Sequence, residues 1–457
     1  MIGLGLRCAA VGLTVLLTAS PSAWAVSPPE VDPAVQPPSG TAGPGVAMSQ
    51  RGECIDTTVF PDFDAATVPA AAVMLNLAGA WRFSRGEGQV VAVIDTGVQP
   101  GPRLPNLDGG GDYLAGTDGL TDCDGHGTLV AGIIAGQPGD DGFSGVAPAA
   151  RLLSIRQSSA LFAPSAPAED QETARAGIDV ASLARAVVRA ADAGARVINI
   201  STVTCLPVAN SVDQTTLGAA LRYAAVDKDV VIVAAAGDAA PGGVAGGPSC
   251  QSNPLNNSGP AEDPRNWAGV TSVSTPSWWQ PYVLSVGSLT SQGQPSAFTM
   301  AGPWVGIAAP GEDIVSLSNG PEGGLANGFP NSQNVLGTIS GSSYATAYVS
   351  GVAALVRSRF PDMSAPQVIE RITGTASNGA QDPSNLVGVG TVDPVAALTW
   401  ELPAPVAEET GSVIAAPVVP EPADSLPRVV ALGGTAALVL AVAATALVMH
   451  RRKERSQ

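Results

Sequence analysis

The chain has 457 residues, of which 45% are hydrophobic and only 13% are charged, and its formal net charge is −17 at pH 7. So acidic a protein is not expected to bind nucleic acid, because the phosphate backbone attracts basic surfaces. Aromatic residues make up 4% of the chain, whereas glycine alone contributes 53 residues. A core of small side chains lets helices and strands approach closely, and this favours a layered α/β fold.

The first 25 residues predict export. Arg7 precedes an apolar segment from Ala9 to Leu17, and small residues follow at Ala23 and Ala25. This is the layout of a secretory signal peptide that is cleaved after Ala25. An uncleaved N-terminal anchor is the alternative, although the apolar segment is short for a membrane span. In either case the body of the protein lies outside the cytoplasm.

A proline-rich extension, residues 26–75, leads into a single predicted domain at residues 76–400. The strands predicted in this domain are continuous apolar runs, which are typical of strands buried on both faces of a parallel sheet. They are the run that ends at Asp95 and residues 151–156, 196–201, 230–237 and 283–289. A helix is predicted at 179–193, so strands and helices alternate. The pattern predicts an α/β fold with a parallel sheet flanked by helices.

The C-terminal part predicts a single membrane span. Residues 401–427 form a proline-rich linker, and an uncharged apolar run from Val429 to Met449 follows it. This run can cross a hydrocarbon layer of about 30 Å. We therefore predict a transmembrane helix at 428–450. The basic tail, residues 451–457, belongs in the cytoplasm by the positive-inside rule, which places the domain on the extracytoplasmic, periplasmic side of the cell membrane.

Four cysteines remain after removal of the signal peptide, which contains Cys8. They are Cys54, Cys123, Cys205 and Cys250. An even number of cysteines in an oxidising compartment favours two disulfides, and the sequence alone leaves three pairings open. No CxxC spacing occurs and only one histidine lies outside the signal peptide and the membrane segment, so no zinc site is predicted.

A row of aspartates ahead of that histidine could in principle form a calcium site. They are Asp108, Asp112, Asp118, Asp122 and Asp124. No 12-residue ligand pattern fits them, and acidic glycine-rich loops are commonly just solvated. No metal or other cofactor is therefore predicted.

Three polar residues stand where strands end or helices begin. Asp95 closes a strand, His126 opens a predicted helix, and Ser343 precedes a long apolar helix. Each could simply cap a turn or a helix. Together they could form a catalytic triad, in which a carboxylate orients an imidazole and the imidazole activates a serine hydroxyl. Ser340 and Ser342 are rivals by residue type.

The chain order Asp, His, Ser distinguishes between folds that build such a triad. An α/β hydrolase needs a histidine after the serine, and only His450 at the membrane flank follows Ser343. The motifs "VAVIDTGV" (91–98), "DGHGTLVAGIIAG" (124–136) and "GSSYATAYVSGVAAL" (341–355) resemble those of the subtilisin-like serine proteases. The resemblance implies that Asp95 orients the histidine, that His126 is the general base and acid, and that Ser343 is the nucleophile.

The segments around the domain narrow the resemblance. A signal peptide, a proline-rich extension with a cysteine, a subtilisin-like domain, a proline-rich linker and one C-terminal membrane helix together resemble the mycosins, membrane-anchored proteases of type VII secretion systems. The resemblance implies the pairings Cys54 with Cys123 and Cys205 with Cys250. It also implies an extension that stays attached and wraps the domain. Secreted proteins or peptides as substrates and the secretion membrane complex as a partner follow from it as well.

Two motifs depart from the subtilase pattern. Asp238 stands where the family usually has the asparagine that donates to the oxyanion, and an ionised carboxylate cannot donate. The loss of one such donor costs about 3 to 4 kcal/mol of transition-state stabilisation. The run "NISTVT" (199–204) replaces the usual substrate-binding edge sequence. Two functions therefore stay open, an active membrane-anchored endopeptidase and a structural subunit of the secretion complex with little or no proteolysis.

Overall fold

A computed structural model describes residues 26–166, 170–210, 212–239, 250–255, 263–330, 335–379, 383–402, 437–438, 440–449 and 451–452. The predicted signal peptide, residues 1–25, and residues 403–427 of the predicted linker lie outside these described residues. The chain divides into two units, one ending at Leu402 and one beginning at Pro403. The account of the fold below concerns the first unit.

The strands of this unit form one large sheet and four small two-stranded ones. They are β1 (Met48–Gln50), β2 (Val90–Asp95), β3 (Leu107–Asp112), β4 (Arg151–Arg156), β5 (Phe162–Pro164), β6 (Val197–Ile200), β7 (Thr204–Pro207), β8 (Val231–Ala235), β9 (Ser272–Thr275), β10 (Val283–Leu289), β11 (Val305–Pro310), β12 (Ser316–Leu317), β13 (Leu325–Ala326), β14 (Gly328–Pro330) and β15 (Leu336–Thr338).

The helices are α1 (Ala70–Met74), α2 (Leu77–Ala80), α3 (His126–Ala135), α4 (Gln171–Asp192), α5 (Thr215–Arg222), α6 (Ser342–Arg359), α7 (Ala365–Gly374) and α8 (Pro394–Thr399). A π-helical turn at Tyr223–Asp227 continues α5. Short 3₁₀ turns occur at Val208–Asn210 and Trp267–Gly269.

The large sheet has seven strands in the order β11-β10-β8-β6-β2-β4-β3. Every neighbouring pair in it is parallel, so the predicted α/β fold with a parallel sheet flanked by helices is confirmed. Strands β4 and β10 have the predicted limits. The predicted strands at 196–201 and 230–237 are each shorter at both ends.

Further differences concern strands β3 and β11 of the large sheet, neither of which was predicted, and helix α4. Strand β3 was not predicted, because its sequence LDGGGD has three glycines, which are depleted in strands. Helix α4 begins at Gln171, well before the predicted start at 179. The carboxylate of Asp170 accepts a hydrogen bond from the N–H of Thr173 at 3.1 Å and caps this start. The segment between β4 and the predicted helix start therefore contains β5 and the first turns of α4.

Alternate residues of the strands supply the two faces of the sheet. In β2, Val91 and Val93 belong to the core on one face, and Ala92 and Ile94 belong to the core on the other. All four side chains are fully buried. This burial explains why residues 90–94 are all apolar and why Asp95, the titratable residue of the strand, lies at its end.

Helix α6 lies inside the first of these cores. Its residues from 342 to 357 are all buried, which is why it lacks a polar face. The helix approaches its neighbours closely through small residues: a Cβ at Gly351 would lie 2.5 Å from the Cβ of Val146. A larger side chain at this position would push the helix away from the loop that follows α3.

The extension at residues 26–75 runs along the domain surface. The hydroxyl of Tyr113 donates to the Gly40 carbonyl at 3.0 Å, and the Arg185 guanidinium donates to the Thr41 carbonyl at 2.5 Å. Strand β1 then pairs with β5 in an antiparallel arrangement. These contacts fix the extension to helix α4 and to the rim of the sheet.

In the second unit, residues 437–438, 440–449 and 451–452 are helical. Among the described residues of the chain, no helix is both long enough and apolar enough to cross a membrane. Residues 428–436 of the predicted span lie outside the described residues.

Candidate active site

The topology brings Asp95, His126 and Ser343 together at the carboxyl edge of the sheet. Asp95 is the last residue of β2, His126 is the first residue of α3, and Ser343 is the second residue of α6. In parallel sheets, strand ends and the following helix starts converge at this edge. The Asp95 side chain is fully buried, whereas 9% of His126 and 7% of Ser343 are exposed.

Two hydrogen bonds connect the three side chains. His126 Nδ1 lies 2.7 Å from Asp95 Oδ1, and His126 Nε2 lies 2.9 Å from Ser343 Oγ. Asp95 Oδ1 also accepts from the N–H of Thr96 at 2.7 Å. With Nδ1 protonated towards the carboxylate, Nε2 is free to accept the serine proton. The arrangement can therefore activate a serine hydroxyl as a nucleophile.

The imidazole lies among acidic groups. Burial alone would lower the pKa of His126, but the charge of Asp95 and its hydrogen bond, with smaller contributions from Asp122 and Asp124, raise it above its ordinary value. The buried ring of Tyr344 packs beside the imidazole, with ring centroids 5.2 Å apart. The acidic neighbours favour the protonated form of His126, the form that donates a proton to a leaving group.

Ser340 and Ser342 make different hydrogen bonds. Ser342 Oγ accepts from the N–H of Gly237 at 3.2 Å, and Ser340 Oγ accepts from the N–H of Asp313 at 3.4 Å. Of the three serines, Ser343 is the one that bonds to His126.

Asp122 supports the start of helix α3, which has no side-chain cap at Gly125. Its carboxylate accepts hydrogen bonds from the N–H groups of Gly125 and Thr128, each at 2.8 Å, and from Thr128 Oγ1 at 2.6 Å. It also accepts from Thr96 Oγ1 at 2.8 Å. One carboxylate thus connects the residue after Asp95 with the helix that carries His126. This role was not predicted from the sequence. The available signal was the position of Asp122, an aspartate shortly before a helix start.

Other aspartates that precede His126 in the chain bond to nearby protein groups. Asp124 accepts from Ser159 Oγ at 2.5 Å, Asp112 accepts from Thr117 Oγ1 at 2.7 Å, and Asp108 pairs with Arg151. Among the described residues, no group of three or more histidine, cysteine, aspartate or glutamate side chains is placed to hold a metal ion.

Asp238 follows β8 and faces the start of α6. Its Oδ1 accepts a hydrogen bond from the N–H of Ser342 at 2.9 Å, and its carboxyl group lines the cleft that contains Ser343. Burial raises its pKa to about 6. Near neutral pH this carboxyl group is therefore far closer to its titration range than an ordinary aspartate.

A cleft of about 340 Å³ contains His126, Ser343 and Asp238. Ser158–Ala160, after β4, and Ser201–Thr204, after β6, form two of its walls. The substituted run 199–204 thus lies partly at the cleft, and its last residue begins β7, which pairs with β9. Sequence analysis did not identify Ile55 and Phe329, which also line the cleft. No local sequence signal marks them, because they are distant in the chain from the catalytic motifs.

Both disulfides lie next to this cleft. The structure joins Cys54 to Cys123, three residues before His126, and Cys205 to Cys250. The N–H of Cys250 donates to the Asp238 carbonyl at 2.8 Å. The pairings are those that the resemblance to mycosins implies, and each holds a segment that carries a residue of the site.

Comparison with known proteins gives consistent matches. The family model of subtilases, peptidase family S8, matches residues 86–390. Mycosin-3 of Mycobacterium tuberculosis is 59% identical over 462 residues, which cover 99% of each chain. A solved structure of the MycP3 protease from the type VII (ESX-3) secretion system is 66% identical, with a TM-score of 0.79, and covers 82% of this chain and 100% of that one.

A chain in the solved structure of an intact ESX-5 inner membrane complex is 46% identical, with a TM-score of 0.78. The match covers 92% of this chain and 99% of that chain.

Proposed function

Because this chain belongs to the subtilase family and is a mycosin-type serine endopeptidase of type VII secretion systems, we propose that Asp95, His126 and Ser343 are its catalytic triad. The observation that carries this proposal is the pair of hydrogen bonds through the imidazole, 2.7 Å to Asp95 and 2.9 Å to Ser343. This geometry is the one that proton transfer from a serine hydroxyl requires.

In the proposed reaction, Ser343 Oγ attacks the scissile carbonyl while His126 Nε2 accepts the hydroxyl proton. Asp95 keeps the proton on Nδ1 and stabilises the imidazolium that forms. The imidazolium then donates its proton to the leaving amine, and a water molecule hydrolyses the acyl enzyme by the same route. Since the pKa of His126 is raised, the proton donation is favoured, and the base form of the enzyme requires a higher pH.

We propose that Asp238 acts at the oxyanion together with the N–H of Ser343. Asp238 Oδ1 is occupied by the N–H of Ser342, which leaves Oδ2 to carry a proton. A protonated carboxyl group can donate a hydrogen bond to an oxyanion, whereas a carboxylate repels it. Burial, which raises the pKa of Asp238 to about 6, makes the protonated form accessible at mildly acidic pH.

The remaining sequence predictions complete the proposed function. We propose a cleaved signal peptide (1–25), an extension (26–75), a peptidase domain (76–400), a linker (401–427), a transmembrane helix (428–450) and a cytoplasmic tail (451–457). The protein would then be anchored in the cell membrane with its domain on the extracytoplasmic side and cleave secreted proteins or peptides. A relative within an ESX-5 inner membrane complex supports association of this chain with such a complex.

Asp238 favours a second function. If its carboxylate stays ionised, the oxyanion site is poor, and the protein would serve mainly as a structural subunit of the secretion complex. Labelling with a serine-reactive phosphonate separates the two functions. The proposed peptidase should label in the wild type and in Ser340→Ala, but not in Ser343→Ala. Absence of labelling in the wild type, or equal labelling of Ser343→Ala, would instead support the structural function.

A further inference from the structure

The N-terminal extension reaches the catalytic cleft. Ile55 belongs to this extension and lies outside residues 86–390, which match the family model. It is half-buried and lines the same cleft as His126 and Ser343. The cleft wall at this point is therefore formed by a segment that is not part of the peptidase domain proper.

Three contacts fix Ile55 in this wall. The neighbouring Cys54 is joined to Cys123 by a disulfide, and the N–H of Ile55 donates to the Cys123 carbonyl at 2.8 Å. The Ile55 carbonyl in turn accepts from Asn319 Nδ2 at 2.8 Å. Asn319 also donates to the Asp122 carbonyl at 3.1 Å. Ile55 is thus fixed to the segment that leads into His126.

Phe329 lines the cleft as well and is held by the same extension. Gly328, which precedes it on β14, exchanges two backbone hydrogen bonds with Thr58, at 3.1 Å and 2.8 Å. Phe329 is half-buried. The other two large apolar residues of the cleft, Leu183 and Val203, lie on α4 and after β6. Ile55 and Phe329 therefore come from two segments that are hydrogen-bonded to each other and apart from the sheet.

The position of this wall indicates which half of a substrate it meets. His126 must deliver its proton to the leaving amine, so the leaving half of the substrate lies beside the imidazole. The acyl half lies beside Asp238, which faces the start of α6. Ile55 is tied to the chain three residues before His126. This attachment favours contact with the leaving half.

We propose that Ile55 and Phe329 form a subsite for an apolar side chain on the leaving-group side of the scissile bond, so that the extension is part of the substrate-binding site. This inference rests on the proposed peptidase function. An apolar wall favours an apolar side chain because both surfaces leave water on binding. The extension then contributes to specificity as well as to the stability of the domain.

The test compares peptides that differ only in the two residues after the scissile bond. In Ile55→Ala and in Phe329→Ala, kcat/KM for peptides with leucine or phenylalanine there should fall about tenfold. Peptides with serine or alanine there should be cleaved within about twofold of the wild-type rate. Ile55→Val should retain most of the preference. Val59→Ala, at a half-buried residue of the same segment outside the cleft lining, should leave the preference unchanged.

An equal loss for all peptides would overturn the proposal, because it would mean that Ile55 acts only through the position of His126. An unchanged preference in both alanine variants would overturn it too. Phosphonate labelling of Ser343 in each variant keeps the two proposals separate. If labelling persists while the preference does not change, the subsite is wrong and the peptidase function stands. If the wild type itself neither labels nor cleaves, the peptidase function is wrong.

Discussion

Replacing Asp238 by asparagine should raise activity, and the gain should grow with pH. The amide can donate to the oxyanion at any pH, whereas the carboxyl group can donate only while it is protonated. The pKa of Asp238 is raised to about 6 by burial. Deprotonation above this pH therefore removes a donor from the wild-type enzyme and leaves the Asp238→Asn variant unaffected.

The magnitude follows from the titration of one group. If the protonated carboxyl and the amide donate equally well, the ratio of kcat/KM between variant and wild type equals the inverse of the protonated fraction of Asp238. With a pKa of about 6, that ratio is roughly 2 at pH 6, roughly 10 at pH 7 and roughly 100 at pH 8. The last value is within the range of about 10² to 10³ measured for the loss of one oxyanion donor.

The assay is hydrolysis of a small peptide or ester substrate from pH 5 to 9, with active-site titration to correct for the competent fraction. KM should change little, because the restored donor acts on the transition state. Asp179→Asn is a matched control, since Asp179 lines the same cleft and burial raises its pKa too. A variant-to-wild-type ratio that stays constant across this range would refute the proposed neutral donor.

Three further predictions concern stability and the surroundings of the site. Asp122→Asn should lower the free energy of unfolding by about 1 to 3 kcal/mol. It should also move the acid limb of kcat/KM to lower pH, because one charge that raises the pKa of His126 is lost. The control Asp112→Asn changes another buried, hydrogen-bonded carboxylate and should lower stability without moving that limb. Serine at both Cys54 and Cys123 should cost about 4 kcal/mol in chemical denaturation, from the sequence separation of 69 and the loop-entropy relation; an unchanged midpoint would contradict this. A chain ending at Leu402 should be soluble and unfold cooperatively in calorimetry, since the first unit ends there.

The motifs that contain Asp95, His126 and Ser343 could be found from the sequence because each sits at a strand end or a helix start. Strand β2 is an unbroken apolar run that stops at Asp95, glycines flank His126, and a glycine stands two residues before Ser343. Such signals are local, and the parallel sheet then determines that they meet. Ile55 and Phe329 carry no such signal, since their place at the cleft depends on a disulfide and on hydrogen bonds to distant segments. The cleft wall therefore required the three-dimensional structure.

The charges of Asp238 and His126 limit the wild-type enzyme even at its best pH. In the form proposed to be active, both groups are neutral, and in the competing form His126 is an imidazolium and Asp238 a carboxylate. The two forms hold the same number of protons, so their ratio does not depend on pH but on the difference between the two pKa values. Burial raises the pKa of Asp238 only to about 6, while the charge of Asp95 and its hydrogen bond raise that of His126 above its ordinary value, so the charged form predominates. Only a minority of the molecules then holds the active form at any pH. Because asparagine at position 238 has no charged form, the Asp238→Asn variant lacks this limit. In the wild type, we expect the carboxyl group of Asp238 to keep proteolysis slow.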